Sequence, residues 1–137
     1  MGQAGYATEN IEEMPRVPIR VLIADDSTPV VEMLSELLAV PGSMDVVGSA
    51  DSEAAAVASA RELKPDVVVL DLQLKGGSGT NVIKAIRSDP GLAGVRIAVT
   101  SNHTSPQLKA ACLELGADRY FDKVKELREL VAFVRGL

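Results

Sequence analysis

From Pro18 onward, short apolar runs alternate with longer stretches in which apolar residues recur at helical spacing. Ile19–Ala24 is apolar apart from Arg20 and predicts a strand. Thr28-Pro29 then places a hydroxyl cap ahead of a proline at the first helical position. Val31, Leu34, Leu37 and Leu38 follow on one helical stripe until Pro41-Gly42 stops it. Asp45–Gly48 predicts a short second strand, and Asp51 or Ser52 caps an alanine-rich helix ending at Lys64-Pro65. Asp66–Asp71 contains Val67, Val68, Val69 and Leu70, a continuous apolar run of the kind that fills a central parallel strand. Asn81–Ser88 predicts a third helix, closed by Asp89-Pro90-Gly91, and Val95–Thr100 a fourth strand. Ser105-Pro106 repeats the cap-plus-proline start for a helix that Gly116 ends. Ala117–Phe121 predicts a fifth strand, and Leu127, Leu130, Val131 and Val134 mark a last helix.

Five strands alternating with five helices imply βαβ units. The expected fold is α/β, a doubly wound parallel sheet with helices on both faces, with no repeat and no second domain. Residues 1–17 show neither period. Gly2, Gly5, Pro15 and the acids Glu9, Glu12 and Glu13 read as a flexible N-terminal tail, so the folded domain is expected over 18–137.

A chain of 137 residues, 47% hydrophobic and 24% charged, suits one globular domain. Its net charge of -5 argues against a nucleic-acid interface and against docking on an anionic membrane. One cysteine and one histidine leave no disulfide framework, no cysteine-based zinc site and no histidine-rich metal site. The N-terminus lacks the basic-then-apolar form of a secretory signal, and no apolar run approaches the roughly 20 residues of a membrane span, so the expected location is the cytoplasm.

In a doubly wound sheet the working face lies beyond the carboxyl ends of the strands. There the predicted strands place Asp25-Asp26, Asp71, Thr100-Ser101 and, just after the fifth strand, Lys123. Singly, each has an ordinary explanation: a strand-end aspartate caps the next helix, and a lone lysine is solvated. Jointly they are three carboxylates, a hydroxyl and an ammonium on one side of one sheet. Clustered carboxylates need a proton or a cation, and an all-oxygen set suits magnesium. Such a site can accept a phosphoryl group. A central carboxylate, best placed at Asp71, would act as the nucleophile and form an aspartyl phosphate.

At this point the chain resembles the receiver domain of bacterial two-component response regulators, over Ile19 to Leu137. The matching pieces are Val21-Leu22-Ile23-Ala24-Asp25-Asp26, Val67-Val68-Val69-Leu70-Asp71, Ile97-Ala98-Val99-Thr100-Ser101, Gly116-Ala117-Asp118-Arg119-Tyr120-Phe121-Asp122-Lys123, and Gly79 eight residues after Asp71. The resemblance implies a flavodoxin-like sheet of order 2-1-3-4-5. It implies Asp71 as phosphoacceptor, Asp26 as direct and Asp25 as water-mediated magnesium ligands, and Gln73 as the source of a backbone carbonyl ligand. Thr100 would be the switch hydroxyl, Tyr120 the switch aromatic and Lys123 the phosphate contact. The implied partners are a histidine kinase or histidine phosphotransfer protein and a downstream protein, without nucleic acid or membrane and without a DNA-binding output domain. The implied state is a monomer or a phosphorylation-dependent dimer. Such a protein promotes its own magnesium-dependent phosphorylation and dephosphorylation rather than acting as a classified enzyme. A fragment of a longer regulator and a protein-binding pseudo-receiver are the alternatives.

Three departures stand out. Leu74-Lys75-Gly76-Gly77 replaces the Met-Pro usual after the phosphoacceptor, which predicts a more mobile loop. Val124 follows Lys123 where the family has a proline after a cis bond. A cis bond ahead of valine costs about 2.5–4 kcal/mol, so that loop is expected to differ. His103 lies near the site and is read as a solvent-exposed loop residue, while Cys112 is read as core on a stripe with Leu108, Ala111 and Leu115. Two other functions fit the chain less well. A flavin or nucleotide binder needs a glycine-rich phosphate loop where Asp25-Asp26-Ser27 stands. An aspartate-nucleophile phosphohydrolase needs an acid two residues after the nucleophile, where Gln73 stands.

Overall fold

The computed structural model describes residues 18–103 and 105–137; the tail expected over 1–17 lies outside the described residues. The elements run β1 (Ile19–Ala24), α1 (Thr28–Leu38), β2 (Met44–Ala50), α2 (Glu53–Leu63), β3 (Val67–Asp71), β4 (Gln73–Leu74), β5 (Gly77–Ser78), α3 (Gly79–Arg87), a 3-10 turn (Pro90–Leu92), β6 (Arg96–Ser101), α4 (Pro106–Leu115), β7 (Arg119–Asp122) and α5 (Leu127–Arg135). Five strands pair in parallel in the order β2-β1-β3-β6-β7, the flavodoxin-like order.

Strand alternation sorts the core onto the two faces of the sheet. Leu22, Val68, Leu70, Ile97, Val99 and Tyr120 pack with α2, α3 and α4. Val21, Ile23, Val67, Val69, Ala98 and Phe121 pack with α1 and α5. Residues Val67 to Leu70 are at most 1% exposed, and each such side chain contributes about 1.5–3 kcal/mol by leaving water. That burial on both faces is why β3 reads as an unbroken apolar run.

Helix starts follow local capping chemistry. Ser27, one residue ahead of the expected cap Thr28, accepts from the Val30 N–H through its hydroxyl at 3.4 Å. Ser52 rather than Asp51 caps α2, accepting from the Ala55 N–H at 3.1 Å. The third helix begins two residues earlier than expected, because Ser78 accepts from the Thr80 N–H at 3.1 Å. Two positions assigned to apolar stripes face solvent: Leu37 is 39% exposed and Ala111 is exposed, whereas Cys112 is fully buried. The Lys75-Gly76-Gly77 segment, expected as a mobile loop, forms the turn and second strand of a two-residue antiparallel hairpin, β4 against β5.

Candidate functional site

β1 runs into Asp25 and Asp26, β3 ends at Asp71, β6 ends at Thr100-Ser101, and Lys123 follows β7. Sheet register sets their relative heights, with Asp71 opposite Thr100 and Ser101 opposite Asp122. The Lys123 N–H donates to the Ser101 carbonyl at 2.9 Å, carrying the pairing one residue past β7. The turn beyond is held by Asp122, whose Oδ1 accepts from the Val124 and Lys125 N–H groups at 2.9 and 2.8 Å. Proline at 124 would lack that first donor, so the departure at Val124 adds a hydrogen bond to the turn that presents Lys123.

Lys123 Nζ lies 2.7 Å from Asp25 Oδ2 and 3.2 Å from Asp71 Oδ2. The other oxygen of Asp25 accepts from the Ser27 N–H at 2.9 Å, and the other oxygen of Asp71 from the Gln73 N–H at 3.2 Å. Asp25 and Asp71 are buried, Asp26 is exposed, and carboxylate oxygens of all three lie within 4.8 Å of one another. Burial raises the Asp71 pKa above its ordinary 3.8; the Gln73 N–H and Lys123 oppose this, and Asp25 reinforces it. For Lys123, burial works against the charge, but the hydrogen bond to Asp25 and the charges of Asp71 and Asp25 prevail and raise its pKa above 10.5. One ammonium among three carboxylates leaves the cluster short of positive charge. Its donors are all oxygens with one carboxylate open to solvent, which fits a magnesium ion that keeps part of its water shell.

Thr100 is 1% exposed. Its hydroxyl reaches the Leu70 carbonyl at 3.5 Å, the outer limit of a hydrogen bond. Tyr120 is also buried, with its ring on the α4 face of the sheet and its hydroxyl donating to the His103 carbonyl at 2.6 Å. Ser101 closes the same turn: its hydroxyl donates to that carbonyl and accepts from the His103 N–H, both at 3.0 Å. The His103 side chain is exposed, as expected, and the residue enters the local network through its backbone. Gly79 lies where a Cβ would come within 2.6 Å of the Asp71 carbonyl oxygen, so the start of α3 can pass β3 only with glycine there.

A family model described as the response regulator receiver domain matches residues 21–135. The chain belongs to that family. It is 38% identical over 117 residues to the DNA-binding response regulator MtrA of Mycobacterium tuberculosis, covering 85% of this chain and 49% of that protein. It is 36% identical over 118 residues to the response regulator GacA of Pseudomonas viridiflava, covering 85% of this chain and 54% of that one. The chain thus spans about half the length of the curated relatives it matches. Among solved structures, the response regulator domain of Thermotoga maritima CheB superimposes with a TM-score of 0.74 at 27% identity, over 88% of this chain and 98% of that one. A two-component response regulator of the LuxR family from an Aurantimonas species gives 0.74 at 28% identity, over 87% and 86%.

Within this receiver domain the strand-end residues named from sequence converge, while Asp118 of the Gly116-Ala117-Asp118 run serves the fold. Its Oδ2 accepts from the Ile97 N–H at 2.7 Å and from Arg87 at 2.9 Å, tying the start of β6 to α3. Sequence reasoning passed over Glu53, whose carboxylate bonds the Ser78 N–H and the Asn81 side chain, more than 20 residues further along the chain. Among the described residues no helix is long and apolar enough to cross a membrane.

Proposed function

We propose that this receiver accepts a phosphoryl group on Asp71 from a histidine kinase or histidine phosphotransfer protein, and signals through a protein-binding surface that changes with that modification. The observation that carries the reading is Lys123 lying between Asp25 and Asp71 in a cluster of three carboxylates. A carboxylate oxygen of Asp71 attacks the phosphorus of a phosphohistidine. The P–N bond breaks, and its electron pair stays on the imidazole nitrogen, which takes up a proton. Asp71 and Asp26 directly, Asp25 through water and the Gln73 backbone carbonyl would hold magnesium, which neutralises charge on the phosphoryl oxygens when bound. Lys123 exchanges Asp71 for a phosphoryl oxygen while keeping Asp25.

Thr100 is the switch hydroxyl in this reading. Among the described residues its hydroxyl bonds only the Leu70 carbonyl, at 3.5 Å, so turning it toward a phosphoryl oxygen gives up little. Tyr120 is the switch aromatic. Its ring is already inward and latched on His103, so phosphorylation would act by favouring this position over an outward one and by repacking α4, β7 and α5. The net charge of -5 supports a protein partner rather than nucleic acid. The reading is tested by incubating the protein with magnesium and acetyl phosphate and measuring intact mass. Wild type gains one phosphoryl group and Asp71→Asn gains none; an Asp71→Asn variant labelled at the wild-type rate overturns it.

A further inference from the structure

Glu53 opens α2, where a carboxylate ordinarily faces the helix N-terminus. Here it turns away. Its Oε1 accepts from the Ser78 N–H at 3.0 Å and from the Asn81 Nδ2 at 3.1 Å, reaching across to the β4–β5 hairpin and the first turn of α3. The backbone follows the same path: the Lys75 N–H donates to the Asp51 carbonyl at 3.1 Å, and the Glu53 N–H to the Lys75 carbonyl at 3.4 Å. Ser52 and Lys75 pair as an isolated parallel bridge. A Cβ at Gly77 would come within 2.6 Å of Glu53 Cβ and closer still to its Oε1, so the fit requires glycine at that position. The hairpin so held begins at Gln73, whose N–H bonds the Asp71 carboxylate at 3.2 Å. It closes where the Gly79 N–H meets the Leu72 carbonyl at 2.9 Å. Lys75-Gly76-Gly77 has no proline to order it from within, so its order comes from these contacts.

We propose that Glu53 is a positioning residue that clamps the hairpin after Asp71, keeping the Gln73 main chain aligned with the Asp71 carboxylate and with the magnesium ion. This rests on the phosphoacceptor reading above. The Ser78 N–H and then Asn81 lower the Glu53 pKa below 4.5, so the clamp is engaged as a carboxylate at neutral pH.

The experiment compares wild type, Glu53→Ala and Glu53→Gln by three readouts: amide hydrogen exchange of Ser78 in metal-free protein, magnesium affinity by NMR titration, and phosphorylation rate against magnesium concentration. Wild-type labelling on Asp71 first checks the underlying reading by itself. Glu53→Ala is expected to speed Ser78 exchange severalfold and to weaken magnesium about tenfold, the size of its two hydrogen bonds together. Its phosphorylation should slow at low magnesium and recover at saturation. Glu53→Gln, which keeps the accepting oxygen, is expected to recover most of the affinity. Should Glu53→Ala fail to fold, Asn81→Ala, which removes one of the two partners, is expected to weaken magnesium about threefold, the size of one hydrogen bond. An unchanged magnesium affinity in the folded variant, or a Gln variant as impaired as the Ala variant, overturns the clamp while leaving the Asp71 reading standing.

Discussion

The ammonium of Lys123 and the carboxylate of Asp25, 98 residues apart in sequence, meet at 2.7 Å. The Asp25 side chain is 1% exposed and that of Lys123 11%, so this pair is shielded from water far more than a surface ion pair. Removing one partner of a buried pair leaves the other charge uncompensated, at a cost of about 3–5 kcal/mol. Lys123→Ala in chelator is therefore expected to lose about 3 kcal/mol by urea denaturation. The sign of the pH dependence follows from the raised folded-state pKa of Lys123. Its stabilisation is fully present below 10.5, the ordinary value, and is lost as pH rises through the raised one. The gap between wild type and variant should stay level through neutral pH and close only in strong alkali. A gap that closes near pH 7 contradicts this.

Magnesium should stabilise the fold by mass action. At a hundredfold excess over its Kd the gain is about 2.7 kcal/mol, read as the difference between urea curves in magnesium and in chelator. Asp26 is the exposed member of the cluster, so Asp26→Ala should leave metal-free stability nearly unchanged and abolish the gain. Equal gains in wild type and Asp26→Ala would remove Asp26 from the metal site.

Asp71 carries a built-in cost. Its pKa is raised chiefly by burial, so the native state holds this proton more tightly than the unfolded state does. Stability contributed by this group therefore falls as pH rises from 3.8 through the raised value. Asp71→Asn does not titrate. In chelator it should become more stable than wild type across that window and stay so at neutral pH, measured by thermal unfolding from pH 3.5 to 8. A wild type more stable than Asp71→Asn at neutral pH without metal would refute the assignment.

The Tyr120 hydroxyl bond to the His103 carbonyl spans 2.6 Å. Tyr120→Phe keeps the ring and loses that bond, so it should destabilise by about 1 kcal/mol. In wild type, the aspartyl-phosphate mimic beryllofluoride should shift amide resonances across residues 105–137 as well as around Asp71. Tyr120→Phe should shrink the remote shifts. Shifts confined to the loops around Asp71 would exclude α4, β7 and α5 as the output surface.

The sequence alone determined the layered α/β fold and the identity of the strand-end residues, because both rest on local signals. Unbroken apolar runs such as Val67–Leu70 reveal strands buried on two faces, and residues ending successive parallel strands must share one side of the sheet. The segments ending in Asp26, Asp71, Ser101 and Lys123, taken together with Gly79, added the family. Tertiary structure decided what depends on segments distant in the chain. Neighbours Asp25 and Asp26 look alike in sequence, yet one is buried against Lys123 and the other faces solvent. Leu37 continues an apolar stripe but lines an open groove beside Leu127 and Val131 of α5, at 39% exposure. Two glycines after Lys75 give no strand signal in the sequence. The structure nonetheless forms a hairpin there, because Asp51 and Glu53, more than 20 residues earlier, supply its hydrogen-bond partners. Backbone groups must find partners somewhere. Where the partner lies outside the local element, neither propensity nor periodicity records it.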